Sequence, residues 1–322
     1  MIARILAAAL IVLAAQPMGV AQGQGFPSKP IRIVVPFPPG GAADTTTRVL
    51  SEFLSRGFGQ PVLVENKPGG STIIGTEAVA RSPADGHTLL VVFPSFIVNP
   101  ALRKEMPFDP LKDFKAVSQT MSVPMAIAVH PSLPATSLKE LIALAKAKPG
   151  ELSYGTPGVG TTHHVMGEML RLAADIRISH VPFQGGAGAL TAVSGSHITM
   201  MYGNATEIAP FVKSGKLRAI VVTSAERSEV LPDVPTMREA GYPELEATNW
   251  SGIVVPAATP PAVIARLNAE IVRALRSPEI QEKFRGHGAS PVPTTPEEFG
   301  AFLQSESARY TKVVRDAGIK AD

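Results

Sequence analysis

One stretch carries most of the information about the fold class: Ile31-Arg32-Ile33-Val34-Val35-Pro36-Phe37-Pro38-Pro39-Gly40-Gly41-Ala42-Ala43-Asp44. The β-branched run 31–35 predicts a buried strand, and the prolines with the paired glycines predict a tight loop. A helical pattern with Asp44 in its first turn follows the loop. Strand, loop and helix in this order form the repeating unit of α/β proteins. The first turn of such a helix has free backbone N–H groups, which predicts a site for an anion.

The same alternation continues along the chain. Strand patterns occur at 62–65 and 88–93, with helical patterns at 45–55 and 72–81 between the strands. This βαβαβ order, with strands that are apolar throughout, predicts a parallel sheet with helices on both faces.

A second strand–loop–helix unit repeats the first one later in the chain. Its strand pattern covers 152–154, its Gly- and Pro-rich loop 155–162, and its helical pattern 163–173. Because one small sheet does not need two such units, we expect one in each of two lobes. In open α/β sheets ligands bind beyond the carboxyl ends of the strands, so the two loops are predicted to face each other across a cleft.

The first loop has more than one interpretation. The segment 36–44 could be only a tight turn, because Gly40 and Gly41 permit positive φ angles. The carboxylate of Asp44 would repel an anionic ligand, so Asp44 is expected to cap the helix or to orient the loop. It could instead bind the amino group of a zwitterionic ligand.

Composition and motifs exclude several classes of function. The chain has no cysteine, which excludes disulfides, a cysteine nucleophile and a lipid-modified cysteine. Its 30 Lys and Arg residues are interspersed with 27 Asp and Glu residues, and no basic cluster indicates nucleic-acid binding. The glycines of the second loop do not follow the G-x-G-x-x-G dinucleotide pattern, and neither a P-loop nor a G-x-S-x-G motif is present.

Histidines are the remaining candidates for metal binding or catalysis. His163 and His164 are adjacent and, with His180 and His197, show no zinc-binding spacing, so we predict no metal and no cofactor. One of the adjacent pair could donate a hydrogen bond to a bound carboxylate. A Ser–His–Asp arrangement stays open, although no motif points to it.

The N-terminal residues 1–21 predict a secretory signal peptide. A short basic start precedes an apolar run at 5–15, which is too short to span a bilayer, and small residues follow up to Ala21. A membrane anchor is the alternative interpretation. Cleavage after Ala21 would give a periplasmic or secreted protein.

A set of short motifs follows in a fixed order. In chain order they are Pro30-Ile31, Val34-Val35-Pro36-Phe37, Gly40-Gly41, Asp44, Gly59-Gln60-Pro61-Val62, Glu65-Asn66-Lys67-Pro68-Gly69, Asp85-Gly86-His87-Thr88, Gly160-Thr161, His164, His180-Val181-Pro182-Phe183, Leu231-Pro232-Asp233-Val234-Pro235-Thr236 and Trp250. Together they resemble the Bug-type proteins, which are the periplasmic substrate-binding components of tripartite tricarboxylate transporters. The resemblance covers essentially the whole chain after residue 21.

The resemblance implies an α/β fold of the two-lobed periplasmic-binding-protein (Venus-flytrap) type, with a ligand cleft between the lobes. Lobe 1 is expected to comprise 26–125 plus 248–322, and lobe 2 is expected to comprise 126–247. The loops 37–44 and 156–164 would grip one carboxylate of a small organic acid, partly through backbone N–H groups. The predicted ligand-binding residues are Phe37, Pro39, Gly40, Gly41, Ala42, Asp44, Ser71, Thr156, Gly160, Thr161, His164, Phe183, Gln184 and Asn204.

The expected function is that of a non-catalytic solute-binding protein, a monomer in the periplasm. Its partners would be a small carboxylate and the membrane components of a tripartite tricarboxylate-type transporter. A ligand-sensing partner of a membrane signalling protein would use the same cleft and is the alternative; an enzyme on the same fold is a third hypothesis. Gly203 stands where the family commonly has an acidic residue, so the resemblance does not imply which carboxylate is bound.

Overall fold

The computed structural model describes residues 25–319, so the predicted signal peptide lies outside the described residues. Within them the chain forms one mixed sheet of ten strands. The strands are β1 (Ile31–Val35), β2 (Val62–Asn66), β3 (Thr88–Val92), β4 (Phe114–Val129), β5 (Leu152–Thr156), β6 (Ile178–Pro182), β7 (Met200–Asn204), β8 (Arg218–Val222), β9 (Thr248–Pro256) and β10 (Ser290–Pro291).

Helices cover the sheet and connect its strands. They are α1 (Ala42–Phe58), α2 (Ile73–Ala80), α3 (Ser95–Leu102), α4 (Leu138–Ala147), α5 (Thr162–Ala173), α6 (Gly186–Ser194), α7 (Ala205–Lys213), α8 (Pro261–Arg276), α9 (Pro278–Gly286) and α10 (Pro296–Ala317). Short 3₁₀ turns occur at Gly70–Thr72 and Pro243–Leu245. Across the part of the chain that the structure describes, no helix has the length and apolar character needed to cross a membrane.

The first half of the sheet is built around β1. This strand lies between β2 and β3 and is parallel to both, as the βαβαβ pattern predicts. The parallel sheet predicted for these three strands is confirmed, and the full sheet is mixed, because β9 is antiparallel to β3 and to β4.

Strand β4 joins the two halves of the sheet. Its residues up to Pro124 pair with β9, and from Met125 onward they pair with β7 and β8. The parallel pairs β5–β6 and β5–β7 complete the second half. The fold therefore contains two α/β units that share one long strand.

Apolar side chains hold the helices on the sheet. Leu50 and Leu54 of α1 and Leu267 of α8 are buried in one cluster with the strands of the first half. Burial of each such side chain stabilises the fold by roughly 1.5–3 kcal/mol. Trp250, at the start of β9, is buried and packs edge-on against Phe299 of α10.

Candidate functional site

The first predicted loop follows β1 and lies beside Asn66, the last residue of β2. In the parallel pairing Val35 lies beside Asn66, so both strands end at the same edge of the sheet. The side-chain amide of Asn66 donates to the carbonyl of Phe37 at 3.1 Å and to Asp44 Oδ1 at 2.9 Å. Asn66 therefore fixes the loop at both of its ends.

Asp44 is buried, and its carboxylate fixes the loop through hydrogen bonds. Its Oδ2 accepts from the backbone N–H of Gly40 at 2.9 Å and from Arg48 Nε at 3.0 Å. The hydrogen bond from Arg48 is the largest of the effects that lower the pKa of Asp44 to about 2. Both oxygens thus accept from donors of the protein. This arrangement favours the loop-orienting interpretation of Asp44 over binding of a ligand's amino group.

The loop itself presents exposed backbone at the start of α1. Pro39, Gly40 and Gly41 are exposed, and Gly40 has a φ of +87°. Gly41 is the N-cap residue of α1 and provides no side chain to the first turn of the helix. The N–H groups of Ala42 and Ala43 have no intrahelical acceptor. The ring of Phe37, at the start of the loop, packs edge-on against Phe93.

A left-handed turn containing Ser71 precedes α2, which lies close to the start of the first loop, since a Cβ atom built on Gly75 would lie 3.0 Å from Pro36 Cβ. Gly70, Ser71 and Thr72 have φ angles of 56°, 54° and 80°, a conformation that is strained for serine and threonine. Two side chains of α3 hold it, because Asn99 donates to the carbonyl of Ser71 at 2.7 Å and Ser95 shares a hydrogen bond of 3.3 Å with Thr72. Ser71 itself is exposed.

The second predicted loop is held by its own hydroxyl groups. Thr161 is the N-cap of α5, where its side chain accepts from His164 N at 3.3 Å and donates to the carbonyl of Gly158 at 2.8 Å. Thr156 is fully buried, and its hydroxyl lies 2.7 Å from His180 Nε2. Both threonines therefore shape the loop through contacts within the protein.

Two stacked histidines lie beneath the second loop. The rings of His164 and His180 are parallel, with centroids 3.8 Å apart. His164 Nδ1 accepts from the backbone N–H of Gly160 at 3.1 Å, which leaves only Nε2 of this ring as a donor. The sequence predicts a hydrogen-bonding role for one of the adjacent histidines but gives no sign of this stack, because His180 belongs to another strand.

The remaining predicted residues lie beside the second loop. The N–H of Phe183 donates to the carbonyl of Thr156 at 3.0 Å, and Gln184 follows Phe183 as an exposed residue. His163 Nε2 donates to Asn204 Oδ1 at 3.2 Å. Helices α6 and α7 follow the carboxyl ends of β6 and β7, the two strands that pair with β5. Their first residues therefore lie near the carboxyl end of β5, where the second loop begins.

The predicted residues therefore form two groups. The first group contains the loop 36–44 and the turn at Ser71, and the second contains the loop 156–164 with Phe183, Gln184 and Asn204. Helix α3 links the groups, since a Cβ atom built on Gly160 would lie only 2.6 Å from Leu102 Cδ1. Sequence reasoning missed the supporting roles of Asn66 and Asn99, although Asn66 belongs to one of the recognised motifs.

Other parts of the surface offer a cavity but no metal site. A groove of about 960 Å³ lies between α8 and α10 and is lined by none of the predicted residues. Within residues 25–319, no group of three or more His, Asp or Glu side chains is placed to hold a metal ion.

Acidification is expected to destabilise the second group. Burial lowers the pKa values of His163, His164 and His180 from 6.5 to about 4. The unfolded chain therefore takes up protons near pH 6.5 that the folded protein binds only near pH 4. The free energy of unfolding should fall as pH falls through this window, by up to about 1.4 kcal/mol per pH unit for the fully buried His163 and by less for His164 and His180, which are partly solvated. Urea denaturation between pH 7 and 5 measures this slope.

The variant His164→Asn separates this effect from other titrations. Asparagine keeps an acceptor for the Gly160 N–H but does not titrate, so the slope should become shallower. His287→Asn, at an exposed position, is the matched control and should keep the slope of the wild type. Equal slopes in all three proteins would show that His164 does not contribute to the acid response.

Comparison with known proteins identifies the family. Residues 46–319 match the sequence profile described as "Tripartite tricarboxylate transporter family receptor". The chain belongs to this family. This receptor is also 38% identical over 297 residues to protein BugT of Bordetella pertussis, an alignment that covers 92% of this chain and 91% of BugT. The Bug-type resemblance seen in the sequence is confirmed.

Solved structures of related proteins confirm the fold. Rpa4515 of R. palustris, solved with adipate, is 32% identical with a TM-score of 0.79, covering 92% of the receptor and 99% of that chain. MatC of Rhodopseudomonas palustris, solved with bound malate, is 30% identical with a TM-score of 0.75. The match covers 90% of the receptor and 100% of MatC. The receptor has the α/β fold of periplasmic binding proteins. It is a solute-binding protein and not an enzyme.

Proposed function

We propose that this receptor captures a small organic carboxylate in the periplasm, between the loops 37–44 and 156–164, and delivers it to the membrane components of a tripartite tricarboxylate-type transporter. The observation that supports this function most strongly is the pair of strand–loop–helix units. The first helical turns of these units border the two groups of predicted residues. In each unit a side chain accepts a hydrogen bond from a backbone N–H of the loop. Asp44 accepts from Gly40 in the first unit, and His164 accepts from Gly160 in the second.

Uncapped helix starts within the two groups support an anion at these loops. Helices α1, α6 and α7 begin there without a side-chain cap, whereas α5, which also begins in the second group, is capped by Thr161. Away from the groups, α4, α9 and α10 are capped by Ser137, Ser277 and Thr295, while α8 has no side-chain cap. Uncapped first turns keep N–H groups available, and the positive end of the helix dipole favours a negative ligand.

Two lobes with the predicted bounds, 26–125 plus 248–322 and 126–247, explain how the ligand is enclosed. The proposed division is supported by β4, which changes partner between Pro124 and Met125. Each lobe would hold only part of the donor set. A carboxylate then binds the closed arrangement more tightly than the open one, and this difference in affinity drives closure.

Neutral donors can supply the affinity. A hydrogen bond to a charged group contributes roughly 1.5–3 kcal/mol. Several such bonds, reduced by the cost of ordering the ligand and the loops, give binding in the micromolar range, about −8 kcal/mol. The adipate and malate in the related structures support an organic acid as the ligand class.

The periplasmic location and the transporter are supported by the family and by the N-terminal sequence. The family is described as a transporter receptor, and the sequence 1–21 has the pattern of a cleavable signal peptide. A free receptor of this kind is expected to be a monomer, with the membrane transporter as its partner.

Comparison of acids with their esters tests the function. A thermal-shift panel of small organic acids, followed by calorimetry, should find acids that bind, and their fully esterified forms should bind at least about a hundredfold more weakly. The ester keeps the carbon skeleton but has no charge to accept from the loop N–H groups. Equal binding of acid and ester would refute the proposal.

A further inference from the structure

Helix α3 reaches from the first group of predicted residues to the second. Asn99 donates to the carbonyl of Ser71 in the first group at 2.7 Å. Leu102, the last residue of the helix, lies against Gly160 of the second loop, because a Cβ atom built on this glycine would be 2.6 Å from Leu102 Cδ1. In the proposed division α3 belongs to lobe 1 and Gly160 to lobe 2, so this contact joins the two lobes.

The backbone of Gly160 is already engaged by contacts within the protein. The residue is buried, and its N–H donates to His164 Nδ1 at 3.1 Å. Its φ angle of +73° is one that glycine adopts without strain. Leu102 takes the space that a side chain at this position would fill. The sequence predicts Gly160 as a ligand-binding residue, whereas these contacts favour a role as the surface on which Leu102 packs.

Leu102 is itself held by the hydrophobic core. Phe96 and Ile97, earlier in α3, are buried in a core cluster, and the partly buried Leu102 packs against the same cluster. A side chain packed in this way can move away from an added methyl group only by leaving its favoured rotamer or by loosening the core. The contact with Gly160 therefore limits how closely the two lobes can approach at this point.

We propose that the packing of Leu102 on Gly160 sets the closed approach of the two lobes, which makes Leu102 a positioning residue for ligand capture. The inference rests on the proposed function, because closure brings the loops 37–44 and 156–164 to the same ligand. A glycine at 160 lets the lobes meet, whereas a methyl group there holds them apart. Hydrogen bonds weaken steeply with distance, so a small gap separates one loop from the ligand.

A double-mutant cycle tests the contact. Calorimetry measures binding of acetate, malate, adipate and citrate, and the acid that wild type binds best is used for every variant. Gly160→Ala should bind it at least about tenfold more weakly, because the new Cβ atom meets Leu102. Leu102→Ala should weaken binding by less than about fivefold. The double variant Gly160→Ala/Leu102→Ala should bind like Leu102→Ala, since the smaller side chain leaves room for the methyl group.

Gly215→Ala separates the steric clash from backbone strain. Gly215 has the same φ of +73°, but a Cβ atom built there would meet no other atom within 4 Å. It follows α7 and lies outside the two groups of predicted residues. Its loss of stability in urea denaturation measures the cost of alanine in this backbone conformation, and its affinity should remain that of wild type.

Cross-linking detects the contact without relying on affinity. The chain has no cysteine, so the variant Leu102→Cys/Gly160→Cys carries a single pair of thiols. A short bifunctional thiol reagent should join this pair, as detected by mass spectrometry, and the acid that binds best should speed the reaction. Leu102→Cys/Gly215→Cys is the matched control and should give no such product.

The other outcomes are distinguishable. Equal weakening in Gly160→Ala and the double variant would show that Leu102 does not exclude the methyl group, and the proposal would be wrong. Wild-type affinity in Gly160→Ala would refute it as well. If wild type binds none of the acids, the proposed function fails. Cross-linking between positions 102 and 160 would then still support the contact between the lobes, and its absence would refute that contact.

Discussion

Replacing Gly41 with aspartate should abolish carboxylate binding in a protein that remains folded. Gly41 is the N-cap of α1, with an extended conformation (φ −79°, ψ 171°) that any residue adopts. An aspartate at an N-cap accepts from the N–H groups of the second and third helical residues, here Ala43 and Asp44. The new carboxylate would occupy the donors proposed for the ligand and repel the ligand's charge.

The expected loss of affinity is at least about a hundredfold, with stability changed by less than about 1 kcal/mol. Gly41→Ala is the matched control, because its Cβ would meet only the carbonyl oxygen of Pro38, at 4.0 Å. Calorimetry with the best acid of the panel measures affinity, and urea denaturation measures stability. Unchanged affinity in Gly41→Asp would mean that the first turn of α1 does not bind the ligand.

Removal of the Asp44 carboxylate should have the largest effect on stability. Asp44→Ala leaves the Gly40 N–H, one donor of Asn66 and Nε of Arg48 without their acceptor, while Nη2 of Arg48 keeps Asn66 Oδ1 at 2.9 Å. An unpaired donor costs about 1–3 kcal/mol where it is buried, and less at Gly40, which is exposed. Because half of the Arg48 side chain is exposed, its charge is partly solvated. The total loss is therefore expected to be roughly 2–4 kcal/mol.

The same variant should bind carboxylates poorly, because the Gly40–Asp44 hydrogen bond no longer fixes the loop. Asp316→Ala removes an exposed carboxylate that pairs with Lys312 on α10 and should cost less than about 1 kcal/mol. Urea denaturation and calorimetry on both variants give the comparison. Equal stability losses in the two variants would contradict the role assigned to Asp44.

The sequence predicts those parts of the site that depend on local interactions. The strand 31–35, the Pro- and Gly-rich loop and the following helix are all determined by neighbouring residues, and the structure contains them at the predicted place. The α1 helix begins at Ala42 rather than at Thr45, because Gly41 already has the extended backbone of an N-cap. The fold class follows from the repetition of this unit.

Helices and strands whose own residues do not favour the observed structure were not predicted from the sequence. Helix α3 has eight residues, begins after Pro94 and contains Pro100, so local propensity opposes it. It is stabilised by tertiary packing of Phe96 and Ile97 in the core. Because α3 was missed, the position of Leu102 against Gly160 of the second loop could not be inferred from the sequence.

The first half of β4 and the strand β9 were missed for a similar reason. Ser118, Gln119 and Thr120 interrupt the apolar pattern of β4, yet all three are buried. Thr120 shares a hydrogen bond of 2.7 Å with Ser251 of β9. Such partners are distant in the sequence, and a pattern read along one segment does not reveal them. The stack of His164 on His180 is hidden in the same way.

A crystal structure of the receptor with the acid that gives the largest thermal shift tests the central claim most directly. We predict one carboxylate within about 3 Å of backbone N–H groups from the first turns of both α1 and α5. A ligand bound in the groove between α8 and α10, or a carboxylate held without contact to either first turn, would contradict the account.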